Sequence, residues 1–97
     1  MAADDYLRRA LRIEPEFPDA LMIMVRLNYE QKNYLKSRAF MQRYEAVASH
    51  DATSLLFAYK IEIASGNTKD ASKYKRTLET TFPKSDQAAE ARRISGT

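Results

Sequence analysis

The feature that most constrains this chain is an internal repeat with a period of about 34 residues. When the sequence is shifted against itself by this period, residues of one chemical kind align without gaps. The aligned columns hold small residues, aromatic residues, β-branched residues, and a proline or serine. These columns are Ala3, Ser37 and Ala71; Tyr6, Phe40 and Tyr74; Ile13, Val47 and Thr81; and Pro15, Ser49 and Pro83. Such a repeat indicates that the chain is built from copies of one small structural unit.

That unit is predicted to be a pair of helices. The chain has 2 glycines and 3 prolines in 97 residues, which leaves long uninterrupted segments for helices. Lys32 and Gly66 occupy equivalent positions at the break between the two helices, and glycine readily adopts the positive φ that ends a helix. The small-residue column lets the paired helices approach closely. Helical hairpins with a period of about 34 residues are typical of tetratricopeptide repeats.

The sequence therefore predicts an all-α fold in a single domain, residues 1–97: a right-handed solenoid of about six antiparallel helices. The helices are predicted at about 3–14, 18–32, 35–48, 52–65, 69–81 and 86–95. Residues 3–17 would hold the second helix of a truncated repeat, 18–51 and 52–85 two complete repeats, and 86–95 a capping helix. Ser85 is predicted to cap that last helix, whose first turn is acidic.

The middle of the chain resembles a more specific family. The stretch Leu27–Tyr44, with Tyr34-Leu35-Lys36-Ser37-Arg38-Ala39-Phe40 at its centre, is similar to type IV pilus biogenesis and stability proteins, the pilotins of the PilF/PilW type. The runs Arg9–Pro15, Ile61–Asn67 and Phe82–Ser85 fit the same pattern. The resemblance covers residues 9 to 90 and matches the C-terminal repeats of such a protein.

The resemblance implies a function and a place in the cell. A protein of this family is a periplasmic lipoprotein at the outer membrane that helps the pilus secretin to assemble as a multimer. The chain is then expected to be a non-enzymatic scaffold for protein–protein interaction, with the secretin or another pilus assembly component as its partner. A signal peptide and a lipidated cysteine are not among these 97 residues. Without the resemblance, the alternatives are a cytoplasmic location and a generic tetratricopeptide adaptor that binds a peptide segment in another complex.

The first helix of each repeat is predicted to line a concave binding groove. Six residues form its predicted stripes: Met22, Arg26 and Tyr29 in one repeat, and Leu56, Lys60 and Ile63 in the next. Each triplet follows the spacing i, i+4, i+7, which places its members on one helix face. Apolar side chains with a basic pair suit a peptide that carries apolar anchors and acidic charge.

A packing role for the same residues is an equal alternative, in which they lie between hairpins or under the terminal helix. The positions predicted to pack inside each repeat are different ones: Leu21, Met24, Val25, Leu55, Ala58 and Tyr59. A carboxylate-clamp site of the chaperone-binding type is disfavoured, because Met22, Ile23, Leu56 and Phe57 stand where that subclass has polar residues.

Composition argues against other classes of function. There is no cysteine, which excludes disulfides and a cysteine nucleophile. The net charge of +3 is spread along the chain, so that no nucleic-acid footprint is predicted. His50 is the only histidine, and a loop or capping role is expected for it rather than a catalytic or metal-binding one. We therefore predict no enzymatic activity, no cofactor and no membrane span in this chain.

The N-terminal end of the sequence carries one further prediction. Residues 3–14 would be a helix without its hairpin partner, with one apolar side uncovered. Self-association through that helix, or exchange of helices between chains, is the expected consequence.

Overall fold

The computed structural model describes residues 17–94, and this range contains five helices and no strand. The helices are α1 (Pro18–Glu30), α2 (Tyr34–Val47), α3 (Ala52–Ala64), α4 (Thr68–Thr81) and α5 (Asp86–Ile94). Each lies within two residues of its predicted bounds. None of these five is long and apolar enough to cross a bilayer. The predicted helix 3–14, and with it the self-association surface, lies outside the described residues.

The sequence repeat is present in the backbone. Helices α1, α3 and α5 begin at the interval of the repeat, and α2 and α4 both begin and end at that interval. The repeating unit is thus a helical hairpin, and the all-α repeat fold predicted from the sequence is confirmed. The described chain divides into two compact units on either side of the Ser49–His50 bond. The first unit pairs α1 with α2; the second pairs α3 with α4 and adds α5, which packs on both.

Both hairpins turn with the same backbone geometry. Lys32 and Gly66 have φ of 63° and 80°, in the left-handed region. The next residue, Asn33 or Asn67, donates its N–H to the carbonyl five residues earlier, over 2.8 Å in each hairpin. This is the Schellman motif, which satisfies carbonyls that have no partner inside the helix. Glycine adopts this φ without strain, whereas the Cβ of a lysine crowds the backbone there.

The helix starts differ in how they are capped. At α3, the Ser54 N–H donates to Asp51 Oδ1 over 2.7 Å, and the Asp51 N–H donates to Ser54 Oγ over 2.8 Å. This reciprocal pair is a capping box. At α5, Ser85 Oγ accepts from the Ala88 N–H over 3.0 Å, so the predicted cap is confirmed. Phe17 gives α1 no side-chain cap, and the helix begins instead with Pro18, whose missing N–H needs no partner.

The core of the first unit lies between one face of α1 and α2. Leu21, Met24 and Val25 are buried, as predicted from the sequence. The small-residue column supplies Ser37 on α2, which is completely buried and donates its hydroxyl to the Val25 carbonyl over 2.7 Å. Because Ser37 is completely buried between α1 and α2, a larger side chain at this position would force the two helices apart.

The core of the second unit involves three helices. The predicted packing positions Leu55, Ala58 and Tyr59 are buried, and Ala71 occupies the position equivalent to Ser37 with 1% of its surface exposed. Burial of each large apolar side chain contributes roughly 1.5–3 kcal/mol. One cluster joins the hairpin to α5; its buried members are Leu55, Leu56, Tyr59, Ala71, Leu78, Ala88 and Ala91.

Candidate functional site

The three predicted binding residues on α1 form an accessible stripe. Arg26 is exposed, and Met22 and Tyr29 are each half-buried. The Tyr29 ring packs against Tyr34 at the start of α2, with centroids 5.5 Å apart and planes tilted by 60°. Such contacts fix the direction of an aromatic side chain. The α1 stripe therefore offers a positioned aromatic ring, a flexible methionine and a cation on one face of the helix.

The three predicted binding residues on α3 have different environments. Leu56 is 6% exposed and belongs to the buried cluster of the second unit. The Lys60 ammonium lies 2.6 Å from Glu90 Oε2 on α5 and 5.5 Å from the centre of the Phe57 ring. Ile63 is exposed, with 41% of its surface accessible. Of this triplet, Ile63 is thus the most accessible to a partner.

Helix α5 accounts for the environment of Leu56 and Lys60. Gln87 on α5 donates to the Thr53 hydroxyl over 3.2 Å, one turn before Leu56, and Glu90 reaches Lys60 one turn after it. These contacts place α5 along the face of α3 that the sequence had assigned to the groove. This arrangement is the packing alternative considered from the sequence, with the terminal helix as the covering element.

The contact between α3 and α5 has an electrostatic component. The hydrogen bond from Lys60 lowers the pKa of the Glu90 carboxyl; partial burial opposes this effect, and the charges of Lys60 and Arg93 add to it. About a third of the Glu90 side chain is accessible, so water screens the pair and its contribution stays in the range of surface ion pairs. A second ion pair joins α5 to α4, from Arg92 to Glu79 over 3.5 Å.

The single histidine has a local structural role. His50 Nδ1 lies 2.8 Å from Ser54 Oγ, at the capping box of α3, and its ring meets the Tyr74 ring edge-on at 5.8 Å. Residues 17–94 hold no group of three or more acidic or histidine side chains arranged to bind a metal ion. His50 thus lies just before α3 and contacts the first turn of that helix and Tyr74 on α4, which agrees with the loop or capping role expected for it.

The ion pair between Lys60 and Glu90 was not anticipated from the sequence. Its two members lie on helices that begin one full repeat apart, so no local spacing connects them. The repeat does predict that α3 and α5 are in contact. Helix α5 is the equivalent of α3 one period later, and the first helices of adjacent repeats pack together. What the repeat does not encode is which side chains of α5 point toward α3.

Solved structures of two pilus proteins resemble this chain in fold. The crystal structure of PilW, a widely conserved type IV pilus biogenesis factor, matches with a TM-score of 0.85 and 29% identity, over 91% of this chain and 40% of that one. The structure of PilF from Pseudomonas aeruginosa matches with a TM-score of 0.88 and 22% identity, over 95% of this chain and 41% of that one. No protein-family model matches the chain, and no curated protein matches its sequence.

This chain has the tetratricopeptide fold of PilW and PilF. The resemblance to type IV pilus proteins that the sequence indicated is thereby confirmed in three dimensions. The chain spans 40% of the length of PilW and 41% of that of PilF. The matches cover 91% and 95% of this chain, whereas the longer proteins also contain segments that have no counterpart in these residues.

Proposed function

We propose that this chain is a non-enzymatic scaffold in type IV pilus biogenesis, corresponding to a tetratricopeptide portion of a pilotin. The observation that supports this proposal most is the match to PilW, at 29% identity over 91% of the chain. The proposed role is to assist assembly or stability of the outer-membrane secretin, from the periplasmic face of that membrane. The chemistry that this role requires is binding, for which the accessible helix faces are suited.

The α1 stripe is the proposed contact surface. Met22 supplies an adaptable apolar contact, Tyr29 a positioned ring, and Arg26 a charge, which together suit a segment with apolar anchors and an acidic residue. On α3, Ile63 remains a proposed contact, whereas Leu56 and Lys60 are engaged with α5 and would be reached only if α5 moved. The proposal therefore places most of the binding energy on α1.

A genetic experiment tests the role in pilus biogenesis. The gene that encodes the chain is deleted in its host, and surface pili and detergent-resistant secretin multimers are measured. We expect both to fall and to be restored when the gene is supplied on a plasmid. Fractionation of the tagged protein should place it in the outer-membrane fraction, facing the periplasm. Normal pili and normal multimers in the deletion strain would contradict the proposal.

A binding experiment tests the α1 stripe. Arg26→Glu should weaken binding of the chain to the periplasmic part of the secretin by about tenfold, because an attractive charge becomes a repulsive one. Lys36→Glu is the matched control, since Lys36 is an exposed cation on α2 outside the stripe. Melting curves establish that both variants are folded. If the two variants bind equally well, α1 does not carry the contact.

A further inference from the structure

Helix α4 carries a line of three positive charges on its outer face. Lys69, Lys73 and Arg76 are spaced i, i+4, i+7 and are all exposed. At about 100° per residue they fall within about 60° of arc, and the buried residues Ala71 and Leu78 lie on the opposite side of the helix. The line is therefore a surface feature of α4 that points away from the core of its own unit.

Although Asp70 lies beside Lys69 on the same helix, no carboxylate of residues 17–94 forms an ion pair with these three cations. Within residues 17–94, neither an ion pair nor a side-chain hydrogen bond engages the cationic groups of Lys69, Lys73 or Arg76. Glu79, on the same helix, is held by Arg92 of α5. The three cations consequently project into solvent as a single positive edge about 10 Å long.

The fold does not require cations at these positions. The equivalent residues of α2, one repeat earlier, are Leu35, Ala39 and Gln42, on a helix of the same length. The charges on α4 also oppose helix formation locally. Like charges at i, i+4 repel, and a cation in the first turn, such as Lys69, is unfavourable to the helix dipole. Their presence on α4 is thus explained better by something that binds them than by folding.

We infer that the outer face of α4 binds an acidic segment of a partner protein, with carboxylates spaced to meet Lys69, Lys73 and Arg76. A helix with Asp or Glu at i, i+4, i+7 repeats the same spacing and can lie alongside α4. The inference goes beyond the proposed function, because it concerns a surface and a partner chemistry that the α1 stripe does not include.

Other anionic partners fit this face less well. A membrane surface is held stably when apolar side chains insert beside the cations, and the large apolar residues of α4 are not exposed. The affinity of a protein for nucleic acid grows with the number of phosphates that its cations neutralise, and a line of three cations neutralises few. Three charges on a narrow helix match a short carboxylate motif in size and in charge.

The test uses the 97-residue chain and a labelled helical peptide of about 15 residues with Glu at i, i+4, i+7. Lys73→Gln/Arg76→Gln removes two charges from the line, and Lys32→Gln/Lys36→Gln removes two exposed charges elsewhere. We expect the first pair to weaken peptide binding about tenfold at low salt, and the second about twofold at most. A peptide with Gln in place of Glu should not bind.

Three results would overturn the inference. The first is no binding of the Glu peptide to the unmodified chain. The second is an equal loss in both double variants, which would assign the effect to net charge. The third is tighter binding to phosphatidylglycerol vesicles or to a short DNA duplex, lost in Lys73→Gln/Arg76→Gln, which would assign the face to a membrane or to nucleic acid. All of these substitutions leave the α1 stripe intact, so the outcome is independent of the pilus proposal.

Discussion

The two hairpin turns offer a matched test of how backbone strain affects stability. Lys32 and Gly66 have the same left-handed conformation and the same hydrogen bonds. Holding a residue with a Cβ in the left-handed region destabilises the folded chain by roughly 1–2 kcal/mol. Glycine avoids this strain, but it loses more conformational entropy on folding than other residues do, which costs about 0.5–1 kcal/mol. We therefore expect Lys32→Gly to stabilise the chain by about 0.5–1 kcal/mol, and Gly66→Ala to destabilise it by a similar amount.

Steric effects do not complicate this comparison. A Cβ built at Gly66 meets no atom within 4 Å, so the expected loss is purely conformational. Lys32 is exposed, and Lys32→Ala serves as the control because it removes the side chain but keeps the Cβ. Only the glycine variant should therefore stabilise the first hairpin.

Thermal unfolding followed by circular dichroism measures these effects. A change of about 1 kcal/mol shifts Tm by about 4–8 °C in a chain of this size, well above the error of the method. Lys32→Gly should raise Tm, Gly66→Ala should lower it, and Lys32→Ala should leave it within about 2 °C. If Lys32→Gly lowers Tm, or if both glycine exchanges act in the same direction, the assignment of strain to the left-handed turn is wrong.

Three further predictions concern packing, capping and pH. Ala71→Arg should destabilise by more than about 2 kcal/mol, because a charged, bulky side chain would enter the closest helix contact; an unchanged melting curve would show the register to be wrong. Asp51→Ala should cost about 1 kcal/mol by removing the cap from Ser54, and urea unfolding measures it; a loss below about 0.3 kcal/mol would contradict this role. Glu90→Gln should cost at most about 1 kcal/mol at pH 7. Because folding lowers the pKa of Glu90, its contact with Lys60 stabilises the folded chain fully at pH values above the ordinary pKa of 4.5. As pH falls below that value and through the lowered pKa, this stabilisation is lost. In a series of melting curves at different pH, the difference in Tm between the variant and the parent chain should therefore disappear at low pH.

Much of the fold could be predicted because the repeat constrains the backbone. A column of small residues and a turn position recur at the interval of the repeat, and they limit helix approach and helix length in each copy. The helix bounds, the packing positions on α1 and α3 and the cap at Ser85 followed from this pattern. The turn at Lys32 also followed, since its equivalent is Gly66.

The environment of the predicted α3 residues could not be read from the same pattern. Inside a solenoid, first helices have one face toward their neighbours and one toward the ligand. Which of the two holds Leu56 and Lys60 depends on the side of α3 on which α5 packs. Ala88 and Ala91 of α5 pack into the buried cluster, and the period of the repeat does not encode this fit of side-chain volumes.

The two hairpins have matching backbones, so each serves as a control for the other. The destabilising effect of a residue in one hairpin is best judged against the residue at the equivalent position of the other. Lys32 is unfavourable where Gly66 is not, just as Lys73 on α4 is less favourable to its helix than Ala39 on α2. A local cost alone is therefore weak evidence of a function. The three cations of α4 differ from Lys32 in being aligned: one strained residue can persist by chance, whereas repulsion grows with every like charge added to one face. Lys32→Gly and the double variant Lys73→Gln/Arg76→Gln should both raise stability, but only the double variant should also weaken binding of the acidic peptide.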